Sequence, residues 1–185
     1  DQTLIDNCVV ELLQKVDNFG KIQTGHSQYI PLDIDVSVML QPNCKKEGVS
    51  WTYHNENGYA PIFCHVGTQG YMLANELRNG SQHSAKGAIE FVSRCIENAR
   101  RIGLKMNELL IRVDSAHDDS DFIKFLHEAG VNFLVKRNLR NEVREQYLAL
   151  ARRCGEKLPS RDGKIFIVVH WRIVNQQGLK IFRCL

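Results

Sequence analysis

Residues Leu109 to Leu126 read LLIRVDSAHDDSDFIKFL. An apolar run ends on Asp114, and Asp118, Asp119 and Asp121 follow before Phe122, Ile123 and Leu126 take up helical spacing. A strand that passes into a helix through so many carboxylates has two chemical readings. Asp118 and Asp119, beside Ser120, stand where side chains accept the free amides of a first helical turn, and Asp121 within that turn suits the positive end of the helix dipole. Asp114 is different. Capping requires no acid at the strand end, whereas a bound cation does.

Working outward on the C-terminal side, Gly130 stops the helix and Val131 to Val135 reads as a buried strand. Val143, Tyr147, Leu150 and Cys154 mark a further helix, with Asn141 as its cap and Gly155 at its end. Beyond Pro159 and Gly163 the pattern becomes strand-like, in KIFIVVHWRIV and LKIFRCL around a turn at Asn175 to Gly178.

On the N-terminal side, a long helix is expected from Ser84 to Ile102, burying Ala88, Val92, Cys95, Ile96 and Ala99 and ending at Gly103. Val49 to Gly67 holds two strand-like runs around Asn55-Glu56-Asn57-Gly58, whose Asn-Gly step signals a hairpin, and Tyr71 to Leu77 prolongs that sheet. In YIPLDIDVSV, Tyr29 to Val38, the apolar side chains of Ile30, Leu32, Ile34, Val36 and Val38 alternate with Asp33, Asp35 and Ser37. This is a strand with a carboxylate-bearing face. Before it, Ile5, Cys8, Val9, Leu12 and Val16 recur as one helical face between Thr3 and Val16.

The order is helix, three strands, then alternating helices and strands, then a β-rich tail. It predicts an α/β fold with a mixed sheet flanked by helices, the element order of the ribonuclease H-like fold. The expected organisation is an N-terminal helix and linker over residues 1–28, a core over 29–158, and the start of a β-rich insertion over 159–185.

Composition is that of an ordinary folded domain. Of 185 residues, 43% are hydrophobic and 24% charged, which excludes disordered and collagen-like classes. No apolar run approaches the ~20 residues that span a bilayer, and no secretory leader is evident. A cytoplasmic location without membrane association is expected. The six cysteines form no C-x-x-C pair, which argues against structural zinc and a disulfide scaffold. Net charge is only +3, yet nine basic residues face four acidic ones between Lys136 and Lys164, a segment that would draw a polyanion through its phosphates.

Asp35, toward the end of its strand, and Asp114, at the end of another, become neighbours if those strands pair in parallel, their backbones ~4.8 Å apart. Two carboxylates so placed repel, and a cation between them removes the repulsion. Mg²⁺ suits them, since it takes hard oxygen ligands and is often held by one or two carboxylates. Paired ions of this kind activate an oxygen nucleophile and stabilise the leaving oxygen in phosphodiester cleavage, and need at least one more acid. Asp33 shares the face of Asp35, and one of the two suffices. His117, between acids, and His83 read as polar loop residues, with phosphate contact or proton shuttling the other use of such side chains. Trp51 and Trp171 read as packing residues, with base stacking the other use of such rings.

The segments IPLDIDVS, KKEGVSWTYHNENGYAPIFCHVGTQGYMLANELRNGSQHSAKG, LLIRVDSAHD and FLVKRNLR resemble, in order and spacing, the transposases of the insertion sequence 1380 family. These are DDE-type enzymes of the group with a Tyr-Arg-Glu-Lys signature, and the resemblance runs from about Tyr29 to Lys164. It implies a ribonuclease H-like core that cuts and joins DNA at transposon ends, using Mg²⁺, with Mn²⁺ as substitute, held by two aspartates and a glutamate. By motif, the aspartates fall on Asp35 and Asp114. The resemblance further implies a bacterial, nucleoid-associated enzyme with transposon ends and target DNA as partners, together with further copies of itself. The basic run then becomes a DNA-facing surface beginning at Lys136, Arg137 and Arg140.

The family's third acid lies in a motif Y-x2-R-x3-E-x6-K. None of Tyr29, Tyr53, Tyr59, Tyr71 and Tyr147 has arginine three residues on. The expectation is therefore a core fragment that is inactive alone. Two other readings stand beside it: a non-catalytic remnant that binds DNA or a transposase, and another ribonuclease H-like nuclease in which Glu47 or Glu90 supplies the third acid.

Overall fold

The computed structural model describes residues 1–24, 27–136, 138, 143–154, 156–158, 166–168, 173–174 and 180–181. They fall into two units, Asp1–Leu134 and Val135–Leu185. In chain order the first unit contains α1 (Gln2–Leu13), β1 (Ile22–Thr24), β2 (Ser27–Val36), β3 (Met39–Leu40), β4 (Ser50–Trp51), β5 (Asn57–Tyr59), β6 (Ile62–Val66), β7 (Tyr71–Glu76), α2 (Ala88–Arg101), β8 (Leu109–Val113) and α3 (Ser120–Glu128). The next strand, β9 (Asn132–Val135), leads into the second unit with α4 (Arg144–Cys154), β10 (Glu156–Leu158), β11 (Phe166–Val168), β12 (Ile173–Val174) and β13 (Lys180–Ile181).

The strict alternation in β2 explains the sheet. Its apolar residues Ile30, Leu32 and Ile34 are buried, while Asp33 is half-buried and Asp35 exposed. β2 pairs antiparallel with β6, which pairs antiparallel with β7, and parallel with β8 on its other side. The main sheet thus runs β7-β6-β2-β8-β9, with β1 attached to β2. This is the expected mixed sheet, in the strand order of a ribonuclease H-like fold. The parallel β2–β8 pair requires a crossover, and α2 is part of it. Leu32, Ile62, Leu73, Leu109 and Ile111, with Phe91, Val92 and Cys95 of α2, are all fully or almost fully buried. Each such side chain contributes about 1.5–3 kcal/mol by leaving water. Burial and the adjacent Cys64 push the Cys95 thiol well above its usual range, so it stays neutral.

Four local expectations need correction. In α1 the buried residues are Asp6, Val10 and Leu13, while Leu4 and Leu12 are 63% and 64% exposed. The helix is turned because Asp6 pairs with Arg94, 3.3 Å away on α2, and that guanidinium lies over the Phe91 ring. Next, Asn57-Gly58 is not the hairpin turn. The pairing of Ser50 with Gly58 and Trp51 with Asn57 puts these two in β5, and the turn is made at Thr52–Glu56 with Asn55 at φ 60°. Gly58 is needed there for another reason, since any Cβ would strike the Met39 carbonyl of β3. Third, α2 begins at Ala88 rather than Ser84, because the preceding loop closes on itself through hydrogen bonds from buried Arg78 to the Ser84 and Gly87 carbonyls. Finally, β9 is a half-exposed edge strand, with Leu134 42% exposed.

In the second unit, β10 pairs antiparallel with β11 and β12 with β13. Asn141, Gly155, Trp171 and the turn at 175–178 lie outside the described residues. Among the described residues no helix is long and apolar enough to cross a membrane.

Candidate active site

β2 and β8 place their polar residues on the same face, two at a time. The register sets Asp33 opposite Arg112. Two residues further along each chain, past the last paired positions, come Asp35 and Asp114. The first rung is neutral: Arg112 Nε and Nη2 lie 2.5 and 2.6 Å from the two Asp33 oxygens, a bidentate pair whose hydrogen bonding holds the guanidinium above even its usual pKa. Asp33 is therefore occupied. The second rung is like-charged. Were the carboxylates as close as paired strand backbones, ~4.8 Å, two unit charges would repel by about 1 kcal/mol in water and by about 3 kcal/mol at the effective dielectric of a protein surface. Asp35 is exposed and the Asp114 side chain is 55% exposed, which favours the lower figure.

Both acids line one cavity of about 590 Å³. Its other walls come from Trp51, Thr52 and Tyr53 at the hairpin, from Gly80 to Ser84, and from His117. Gly80 allows the walls to meet, since a Cβ there would collide with the Gly58 and Ser50 carbonyls. The Ser81 amide donates to Ser50 Oγ at 2.8 Å and fastens loop to hairpin.

Asp114 has local duties as well. It caps the one-turn 3-10 helix Ser115–His117, accepting from the Ala116 amide at 3.0 Å. The same oxygen, Oδ1, lies 2.9 Å from His117 Nδ1. A carboxylate can only accept, so Nδ1 carries the proton. His117 is 2% exposed and packs its ring 5.4 Å from that of Phe122. This is no polar loop residue, and its buried Nε2 has no hydrogen-bond partner among the described residues. Of the other acids, Asp119 is the N-cap of α3, accepting from the Asp121 and Phe122 amides, and Asp121 lies in its first turn, whereas Asp118 is buried and is not the cap.

The carboxylate pair fits a hard divalent ion. Asp35 Oδ1 accepts only from its own neighbour, the Val36 amide, and the second oxygen of each acid accepts nothing among the described residues. Mg²⁺ retains several waters and needs only one or two carboxylates. Among the described residues no group of three His, Cys, Asp or Glu gathers there. Glu47 and Glu90 are exposed and do not line the cavity. Lys136 is exposed at the start of the second unit, and Arg137 and Arg140 lie outside the described residues.

Sequence reasoning missed Arg112, the burial of His117 against Asp114 and the exposure of Trp51. For Arg112 the signal was present: it precedes Asp114 by two residues, as Asp33 precedes Asp35, so one strand's cation faces the other's spare anion.

The transposase DDE domain group 1 family matches residues 11–165. No curated protein matches the sequence. Among solved structures the chain is similar to the piggyBac transposase synaptic complex with hairpin DNA, at 13% identity and a TM-score of 0.43, over 80% of this chain and 35% of that one. It is also similar to the simian T-cell lymphotropic virus intasome in complex with PP2A regulatory subunit B56 gamma, at 10% identity and a TM-score of 0.39, over 73% and 42%. The chain thus spans less than half the length of either. The family match takes in the whole main sheet, both facing acids and the loops around them, and by it the chain belongs to the transposase DDE domain group 1 family.

Proposed function

We propose that this chain is part of the catalytic core of a DNA transposase similar to the insertion sequence 1380 family, with Asp35 and Asp114 holding Mg²⁺, or Mn²⁺ in its place. The observation that supports the reading is that both acids line one cavity while Asp33 is engaged by Arg112. DDE transposase domains generally depend on a divalent metal. When bound, such an ion supplies positive charge where phosphodiester cleavage builds up negative charge.

The chain's own residues do the positioning. β2 and β8 deliver the two carboxylates from rigid backbone, and the His117 Nδ1 proton fixes the orientation of Asp114. Arg112 removes Asp33 from competition and adds a positive charge beside the site, favourable for a phosphate. The partner in this reading is DNA, at transposon ends and target, drawn by the basic run that begins at Lys136, Arg137 and Arg140. The core spans 29–158, with 1–28 as helix and linker and 159–185 as the start of a β-rich insertion. A third acid comes from outside the described residues, and these 185 residues alone cleave poorly or not at all.

Calorimetric titration with Mn²⁺ tests the assignment. Weak binding that disappears in Asp35→Asn and in Asp114→Asn, and persists in Asp33→Asn, is the expected result; tight binding indifferent to Asp114→Asn defeats it. The lack of a three-ligand group among the described residues favours a second reading, a non-catalytic module that binds DNA. It predicts salt-dependent DNA binding with no plasmid nicking in Mn²⁺. Nicking abolished by replacing Glu47 or Glu90 would instead indicate a different nuclease.

A further inference from the structure

We infer that the hairpin wall of the cavity, carried by Trp51 and Tyr53, is a stacking platform for one unpaired nucleobase of the DNA whose phosphate reaches Asp35 and Asp114. The inference rests on the proposed DNA-cutting role of the acid pair.

Three observations carry it. Trp51 is 60% exposed and Tyr53 65%, although large aromatic surface in water costs free energy. Neither ring holds the hairpin together. That task falls to Thr52 between them, 2% exposed, whose amide and hydroxyl both donate to the Glu56 carbonyl at 2.9 Å and whose Oγ1 accepts from the His54 amide. With Thr52 turned in, Trp51 and Tyr53 are free of structural duty, and Tyr53 is steadied by the His54 ring at 4.5 Å.

Both rings also line the cavity that has the acid pair among its walls. Its volume of about 590 Å³ falls in the range of small-ligand sites, roughly 300–1,000 Å³, which accommodates a nucleotide and not a stretch of duplex. In a duplex the base faces are covered by their neighbours, so only an unpaired or extruded base presents a π-face to these rings.

The loop across the cavity, from Ser81 to Ser84, is polar. Gln82 spends its Nε2 on the Lys86 carbonyl and His83 its Nδ1 on the Ala85 amide, which leaves Gln82 Oε1 and His83 Nε2 for the edge of a base. Aromatic faces on one side and hydrogen-bonding groups on the other suit a flat heterocycle better than an aliphatic group.

The test titrates the full chain into a single-stranded oligonucleotide carrying 2-aminopurine, without divalent metal, and follows its fluorescence. Quenching by the native chain is expected. Trp51→Leu should weaken binding about 5- to 150-fold, the equivalent of losing one stacked base, and Tyr53→Leu less. Trp51→Phe should keep most of the affinity, and the affinity for a fully paired duplex should not change. Thermal unfolding at the native temperature certifies that each variant is folded.

Equal affinity of Trp51→Leu and the native chain overturns the inference, as does absence of quenching by the native chain. Loss of duplex and single-strand binding in equal measure overturns it too. The acid-pair reading fails separately, by Mn²⁺ binding indifferent to Asp114→Asn, and that outcome leaves a Trp51-dependent stack in place.

Discussion

The two rungs that join β2 to β8 differ by one side chain. At the first, Asp33 meets Arg112 and the charges cancel in a bidentate pair. At the second, one step toward the strand ends, the like-charged Asp35 and Asp114 line the same cavity. The two pairs come from the same two segments of chain, so the contrast turns on the side chains. The first rung stabilises the fold modestly, and in the proposed reading the second gives up stability for metal affinity. A protein that needed only a sheet would repeat the first.

The contrast can be broken most severely from behind. Leu32 and Ile111 are opposite each other in the register and fully buried on the reverse face. Leu32→Ala should cost about 2–5 kcal/mol in denaturant unfolding and disorder both rungs together. Next in size is the second rung's own ligand chemistry. Asp114→Asn should weaken Mn²⁺ binding more than about 10-fold, whereas Asp33→Asn should leave it nearly unchanged. If both lose it equally, the rungs are not functionally distinct.

A smaller effect sharpens the first rung. Both partners are partly exposed, 39% for Arg112 and 44% for Asp33, so Arg112→Met should cost only about 0.5–1 kcal/mol, less at high salt. Mn²⁺ binding should not weaken in that variant, since Asp33 becomes free to join the other acids. The smallest effect has the opposite sign. In metal-free buffer Asp35→Asn should raise stability by about 0.5 kcal/mol through relief of repulsion, while Asp33→Asn lowers it; thermal unfolding of the two variants side by side reads the difference.

What the residues disclosed in advance follows the range of the forces involved. The face of β2 was legible because a period of two is written into IPLDIDV, and the end of β8 because its apolar run stops at Asp114, although the capping of Ser115–His117 by that side chain was not foreseen. Asp119 was legible as a helix cap since capping is a matter of adjacent residues. The inward face of α1 was not, because Asp6 is buried by Arg94, a partner remote in sequence. Trp51 was misread as a packing residue for a similar reason. A large ring is ordinarily buried, and only the tertiary arrangement shows that Thr52 has taken the inward place.

The acid pair also has a history in time. Asp33 and Arg112 are 79 positions apart along the chain, and the parallel β2–β8 ladder that joins them brings Asp35 and Asp114 to one cavity in the same event. Closing so large a loop is slow and depends on native contacts formed elsewhere. A chain emerging from synthesis therefore carries two harmless, distant aspartates. In the proposed reading the metal-binding pair comes into being only once the central sheet is assembled, so folding itself acts as the safety catch.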